Sequence, residues 1–364
     1  MQLSMSNIIK RDSNIELLRI ISMFSILILH INGLGLNLPN EMSLIKGITY
    51  QGYLKLFIES LTIIGVNCFV LISGFYGIKP KIKNLLSLYI QCTFIAAFIY
   101  TIMYLIGYIN ISVKDIIKIF LPFSRGQWFI TAYVGLYLIS PILNKAISYF
   151  NKKEFIYSII LLTTLNIYFG WIYLNSVINS NEYNIMHFIY LYFIGRFINL
   201  NYNSKNSTFT KRSKSIYFFI YIFSSSLLTL FAINSLKFFG YEFMVQYSFA
   251  YNNPFVLISS ISFFLFFLNI TINNRVINWI ASSVLAVLLI HNNSYIAPIF
   301  FKYINNLPDT YPNLFLCSLV ISTIAIAIYI VCIIFDKFRL IITNPILSMT
   351  DRFIHNTLQN ILKI

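Results

Sequence analysis

Residues 15–30 read IELLRIISMFSILILH, and the fold follows from what this stretch is. It is a long apolar run, and with the residues up to 38 it meets the roughly 20 residues that a bilayer-spanning helix needs. Yet it holds an arginine, Arg19, near one end and a histidine, His30, well inside. A charged side chain at the bilayer centre costs roughly 2.5–3.5 kcal/mol on insertion scales. Ionisable residues in such a segment therefore need a partner or a task.

The rest of the chain has the same character. Of its 364 residues, 58% are hydrophobic and 10% are charged, where soluble domains carry about 25% charged residues. The chain reads as an all-α, polytopic integral membrane protein. Ten helices are expected, at about residues 17–38, 56–78, 84–108, 127–147, 155–175, 184–200, 215–235, 250–270, 278–303 and 312–336. The connection at 111–126 reads as a short interfacial helix ended by Pro122. Residues 1–337 form one transmembrane unit, and 338–364 form a cytoplasmic tail whose last part has the apolar–polar spacing of a surface-lying helix. Lys10 and Arg11 precede the first apolar run, with no short run or small-residue cleavage site, so the first span is expected to be retained.

A net charge of +15 points to membrane topology rather than to nucleic acid, because few segments are polar enough to make a basic groove. With the N-terminus inside, 18 Lys and Arg fall in inner loops and 7 in outer ones, with Arg19 inside the first span. This excess places both termini in the cytoplasm. Glu41, Glu59, Asp115, Glu182, Glu242 and Asp309 fall among the outer loops. A nearly neutral outer face suits a neutral extracellular ligand, and it is also what the positive-inside pattern leaves behind. Cys68, Cys92, Cys317 and Cys332 all lie in apolar runs without a C-x-x-C pair, so they read as small buried hydrophobes. No H-E-x-x-H, P-loop or G-x-S-x-G pattern occurs, and no metal site is expected.

Arg19 and His30 are eleven residues apart, about three helical turns, so they share one face about 16 Å apart along the axis. A guanidinium suits phosphate, and an imidazole suits general-base work. One elongated ligand, such as a phosphopantetheine arm with a thioester at its end, bridges such a gap. The structural alternatives are that Arg19 snorkels to the interface or pairs with Glu16 three residues earlier, and that His30 holds a neighbouring helix. In SSVLAVLLIHNNSYI (282–296), His291 lies about as deep in the ninth helix as His30 does in the first. Two imidazoles at one level indicate a polar chamber. His187 and His355 read as structural.

Arg-x10-His in the first span resembles the signature of the membrane-bound acyltransferase 3 family. GVNCFVLISGFYGI (65–78), with a Ser-Gly-Phe turn at Ser73, Gly74 and Phe75, is similar to that family's second span. QWFITAYVGLYLISPILNKAI (127–147) and SVLAVLLIHNN are similar to later ones. The resemblance implies acyl transfer, usually of acetyl from cytoplasmic acyl-coenzyme A, to a hydroxyl or amine of a carbohydrate or other acceptor. His30 matches the proposed catalytic histidine and Arg19 the proposed coenzyme A contact. Lys81 and Lys83 stand where the family often has paired arginines, and lysine lacks the bidentate fork.

The reading is thus a stand-alone O-acyltransferase of the bacterial cytoplasmic membrane, using acetyl-CoA as donor and no metal. It acts on a surface polysaccharide or its lipid-linked precursor. His30 and His291 are the candidate catalytic residues, and Arg19, Lys81 and Lys83 the donor contacts. Trp128 is a sugar platform or a member of an interfacial aromatic belt, and Arg125 an acceptor clamp or a rim charge. The alternative from another class is an exporter of polysaccharide or lipid-linked sugar, with the histidines coupling protons.

Overall fold

The computed structural model describes residues 12–123, 127–173, 183–202 and 213–361. Every regular element among them is helical. The main ones are α1 (Ser13–Gly35), α2 (Tyr50–Tyr76), α3 (Ile82–Leu105), the short α4 (Val113–Phe120), α5 (Trp128–Tyr149) and α6 (Lys152–Ile172). They continue with α7 (Ile185–Tyr202), α8 (Lys214–Phe239), α9 (Pro254–Leu268), α10 (Arg275–His291), α11 (Ile296–Thr310) and α12 (Leu314–Ile361). Polar residues just before the helices set several of these starts. Thr49 accepts from the Gly52 N–H, Asn274 from those of Val276 and Ile277, and Asn151 forms a capping box with Glu154. At α9, Asn253 caps and Pro254 takes the first helical position, where its missing N–H costs nothing.

Each of the ten expected segments has a helix in its place. Among the described residues, α1, α2, α3, α5, α6, α8 and the first part of α12 are long and apolar enough to cross a membrane alone. The chain is therefore a polytopic α-helical membrane protein. The expected ninth helix departs from its reading, because α10 and α11 meet at a bend of 83°. Read as one bent span, they bring the crossing helices to eight. The short helix expected before Pro122 is α4. The C-terminal helix α12 carries on from Leu314 to Ile361, so the expected start of the tail at residue 338 lies inside a helix. Asp336, Arg339 and Thr343 are buried there.

The centre of the bundle is α1, which packs against both halves of α2 and α10 and also touches α9 and α12. The second half of α2 lies along α7, and α8 lies along α9. Between α2 and α7 the backbones themselves meet. A Cβ at Gly74 would lie 2.4 Å from the Tyr192 carbonyl oxygen, and one at Gly195 would lie 2.5 Å from that of Leu71. Small residues permit this approach where lipid gives helices no hydrophobic reason to associate. The expected Ser-Gly-Phe turn is therefore the last turn of a helix, which ends at Gly77 with a left-handed φ of 71°.

Adding one methyl group at either crossing glycine overpacks a backbone contact. Gly74→Ala and Gly195→Ala should each destabilise the protein by about 1–3 kcal/mol. The check is the melting temperature of the detergent-solubilised protein, which wild-type-like melting of both variants would contradict.

Candidate functional site

His30 closes the regular α-helical part of α1, and Ile31–Gly35 continue as a π-helical turn. Such turns carry one residue more than the α-helix allows and occur often at functional sites. Here the turn is held on two sides. Asn32, which is buried, donates to Glu59 Oε2 at 2.7 Å and to the Lys55 carbonyl at 2.9 Å. The Lys55 ammonium in turn donates to the carbonyls of Leu36 (2.6 Å) and Asn37 (3.1 Å). On the other side α11 presses so close that a Cβ on Gly35 would lie 2.7 Å from Ile304 Cγ2.

His291 is the last residue of α10, immediately before the bend. Its ring and that of His30 meet with Nδ1 of His30 2.9 Å from Nε2 of His291. The expectation that the two imidazoles share one level is met by direct contact. The tautomers follow from a third group. Nδ1 of His291 lies 2.6 Å from the Val287 carbonyl oxygen, which can only accept, so this nitrogen carries a proton. In a neutral ring Nε2 is then the acceptor, and Nδ1 of His30 must donate to it. The hydrogen-bond network thus assigns these protons. It leaves Nε2 of His30 without a proton and with a free lone pair. His291 is 1% exposed while His30 is half-buried, so the ring of His30 is the more accessible of the two.

A cavity of about 860 Å³ opens next to the bend; neither histidine lines it, but residues close to both in the chain do. Its walls include Leu34 a turn beyond His30, Leu289 and Asn292 on either side of His291, then Asn293, Ser294, Tyr295 and Gln127. The bend between α10 and α11 exposes this run of amides and hydroxyls, which a straight helix would point in all directions. Asp115 and Lys118 of α4 complete the rim and pair at 2.8 Å. The Lys118 ammonium holds the Asp115 carboxyl below the usual carboxylate range. Much of the remaining lining is apolar, including Cys92, Ile95, Ile119, Leu121 and Phe301, so the cavity joins a band of neutral hydrogen-bond partners and a matched charge pair to an apolar wall.

The other sequence candidates lie elsewhere. Arg19 sits near the opposite end of α1, about 16 Å away by helical rise, with its guanidinium 3.6 Å from Glu16 Oε2 and 37% exposed. Lys81 and Lys83 are exposed at the start of α3. The Tyr137 hydroxyl fixes the backbone there, accepting from the Lys81 N–H and donating to its carbonyl. Trp128 is half-buried, with its ring against those of Tyr183 (4.7 Å), Tyr251 (5.5 Å) and Phe188 (6.1 Å). It anchors an aromatic cluster beside the cavity, and its neighbour Gln127 reaches the lining. Arg125 lies outside the described residues. His187 is fully buried between the side-chain oxygens of Asn166 and Asn67, and so ties α7 to α6 and α2.

Glu59 departs from its expected place among the outer loops: it is 7% exposed inside α2 and braces the turn that follows His30. The signal was present, since Glu59 lies in a helix whose apolar neighbours recur at helical spacing. Asn292 and Asn293 were visible too, but a continuous ninth helix gave them no common direction.

The chain belongs to the acyltransferase 3 family, whose model, described as an acyltransferase domain, matches residues 12–332. No curated protein and no solved structure matches it. It is therefore a membrane-embedded acyltransferase.

The brace on the π-helical turn makes a stability prediction. Asn32→Ala removes a buried donor from Glu59, and an unsatisfied buried group costs about 1–3 kcal/mol. The variant should melt earlier than wild type, and Glu59→Gln should do less harm because an amide keeps an acceptor for Asn32. Equal melting of Asn32→Ala and wild type would remove the brace from the account.

Proposed function

We propose that the protein transfers an acetyl or other short acyl group from cytoplasmic acyl-coenzyme A to a hydroxyl of a surface polysaccharide or its lipid-linked precursor. The observation that carries this reading is the hydrogen-bonded pair of imidazoles, which leaves a free lone pair at Nε2 of His30. In this reading the acceptor enters by the cavity next to the bend and extends a hydroxyl to His30, whose Nε2 takes its proton as the oxygen attacks the thioester carbonyl. The new C–O bond replaces the C–S bond. The departing thiolate takes the proton back from His30, so the ring ends the cycle neutral. His291 keeps its bond to Nδ1 throughout and stabilises the intervening imidazolium. Arg19, with Lys81 and Lys83, meets the donor phosphates at the other end of the bundle, which the positive-inside count makes the cytoplasmic face of a bacterial membrane.

The division of labour is measurable. A phosphate contact that does not change as the acyl bond breaks contributes uniform binding, so Arg19→Ala should raise KM for the donor with little change in kcat. General-base assistance is typically worth about 10²–10⁴-fold, so His30→Ala should bind donor yet lose turnover by about that factor. If the two rings act as one unit, His291→Ala should lose less, and the double variant no more than His30→Ala alone. Steady-state acyl transfer in liposomes reads all four. An active His30→Ala would reduce the imidazole to a packing residue, and transport without any need for donor would favour an exporter.

Topology is tested separately. Single cysteines at Lys46 and Glu242 should react with an impermeant thiol reagent on intact cells, and one at Lys81 should not. The reverse pattern would place Arg19 on the wrong face for a cytoplasmic donor.

A further inference from the structure

A second cavity, of about 440 Å³, opens near the Arg19 end of the bundle. The turn after α2 (Tyr76, Gly77 and Lys79), the end of α5 (Ile147 and Phe150) and Arg196 of α7 wall it. It adjoins the start of α1 through Tyr76, whose hydroxyl donates to Asp12 Oδ2 at 2.6 Å and which feels the charges of Arg19 and Glu16.

Two observations point to an anion here. First, the lining carries two cations, Arg196 and Lys79, and no carboxylate. Second, Arg196 is incompletely bonded. Its Nη1 reaches the Phe75 carbonyl and Asn199 Oδ1 only at 3.4 Å, and its Nε is buried with no hydrogen-bond partner. Buried donors are normally paired, and the guanidinium fork is made for phosphate oxygens. Gly77, whose left-handed φ of 71° favours glycine, lies against the guanidinium: a Cβ there would be in van der Waals contact with Arg196 Nη1 at 3.4 Å. The rest of the wall includes the polar Asn144 and Ser148 and the apolar Ile78, Ile147, Phe150 and Leu200, and its apolar part suits the face of a planar base.

We propose that this cavity holds the nucleotide end of the donor, with the ribose 3′-phosphate on Arg196 and Lys79 at the mouth. This rests on the reading that the donor is acyl-coenzyme A. The acyl end must reach His30, so the pantetheine arm runs along α1 and the diphosphate next to it meets Arg19. The ribose phosphate is the one remote from the arm, and the cavity beyond Tyr76 is where it falls.

The test compares coenzyme A with dephospho-coenzyme A, which lacks only the 3′-phosphate, by calorimetry on the full chain in nanodiscs. A charge-assisted contact predicts that wild type prefers coenzyme A by about ten- to a hundredfold. Arg196→Gln should lose that preference and leave dephospho-coenzyme A binding unchanged, while Arg196→Lys keeps part of it. Ser148→Glu, at an exposed lining position, should weaken coenzyme A more than its dephospho form and stands in should Arg196→Gln not fold. Equal weakening of both ligands, or no effect of Arg196→Gln and Ser148→Glu, would overturn this assignment alone. Wild type that binds neither ligand would overturn the donor reading beneath it.

Discussion

Two imidazole rings in contact inside an apolar bundle constrain most of what surrounds them. Each ring nitrogen needs a partner because the bilayer core offers no water. The bond from His30 Nδ1 to His291 Nε2 supplies two of the four needs, and the Val287 carbonyl supplies a third. That carbonyl sits one turn before His291 on the same helix, so α10 brings the ring together with its own orienting group. The fourth nitrogen, Nε2 of His30, belongs to the only half-buried ring of the two. For the rings to meet, α1 and α10 must lie side by side, and α1 packs at the centre of the bundle accordingly. Both helices also lose regularity just after their histidine, α1 in a π-helical turn and α10 in a bend. Backbone groups released by such breaks are tolerated at membrane depth only where they face protein or a cavity. Here the second break opens onto one.

The helical framework was legible because apolar runs about 20 residues long have few other fates. Arg19 and His30 stood out because their side chains are costly in such a run, and His291 because its depth matched that of His30. The bend after His291 was harder to see. Asn292, Asn293 and Ser294 precede Pro298, and together they mark a weak point, but the apolar residues on both sides read equally well as one span. Glu59 and Arg196 were lost for a related reason. Counting charges by loop treats every ionisable residue near a span end as solvated, whereas these two have atoms that the bundle encloses. What distinguishes them is the neighbouring helix: Asn32 for Glu59, and the left-handed Gly77 for Arg196. Neither neighbour is close in sequence.

The two cavities differ as their contents should. The one next to the bend after His291 combines an apolar wall with amides, hydroxyls and a matched ion pair, so it has some hydrogen bonds to give and little net field. The one near Arg19 has cations without carboxylates, and its field favours a multiply charged anion. An exporter moves one ligand from one side to the other and gains from sites of similar chemistry at both ends. A transferase with donor and acceptor on opposite faces needs unlike ends joined by a path for the group that moves. The family match supports acyl transfer in general, and the unlike linings fit the proposed division between donor and acceptor ends.

On the proposed function, the place of the histidine pair at the acceptor end follows from what must cross. Coenzyme A carries several negative charges that the bilayer core would penalise heavily, whereas its thioester arm is thin and uncharged. An arm that reaches about 16 Å along α1 lets the charged portion stay at the interface with Arg19 while the acyl carbon arrives at His30. The acceptor then needs no deep entry, only a hydroxyl that can reach Nε2. The proposed proton economy is equally local, because the proton taken from the hydroxyl would leave with the thiol and none would have to cross the membrane. On this arrangement Glu59 and Asn32 act by holding the turn after His30, and so fix the direction in which its free nitrogen points.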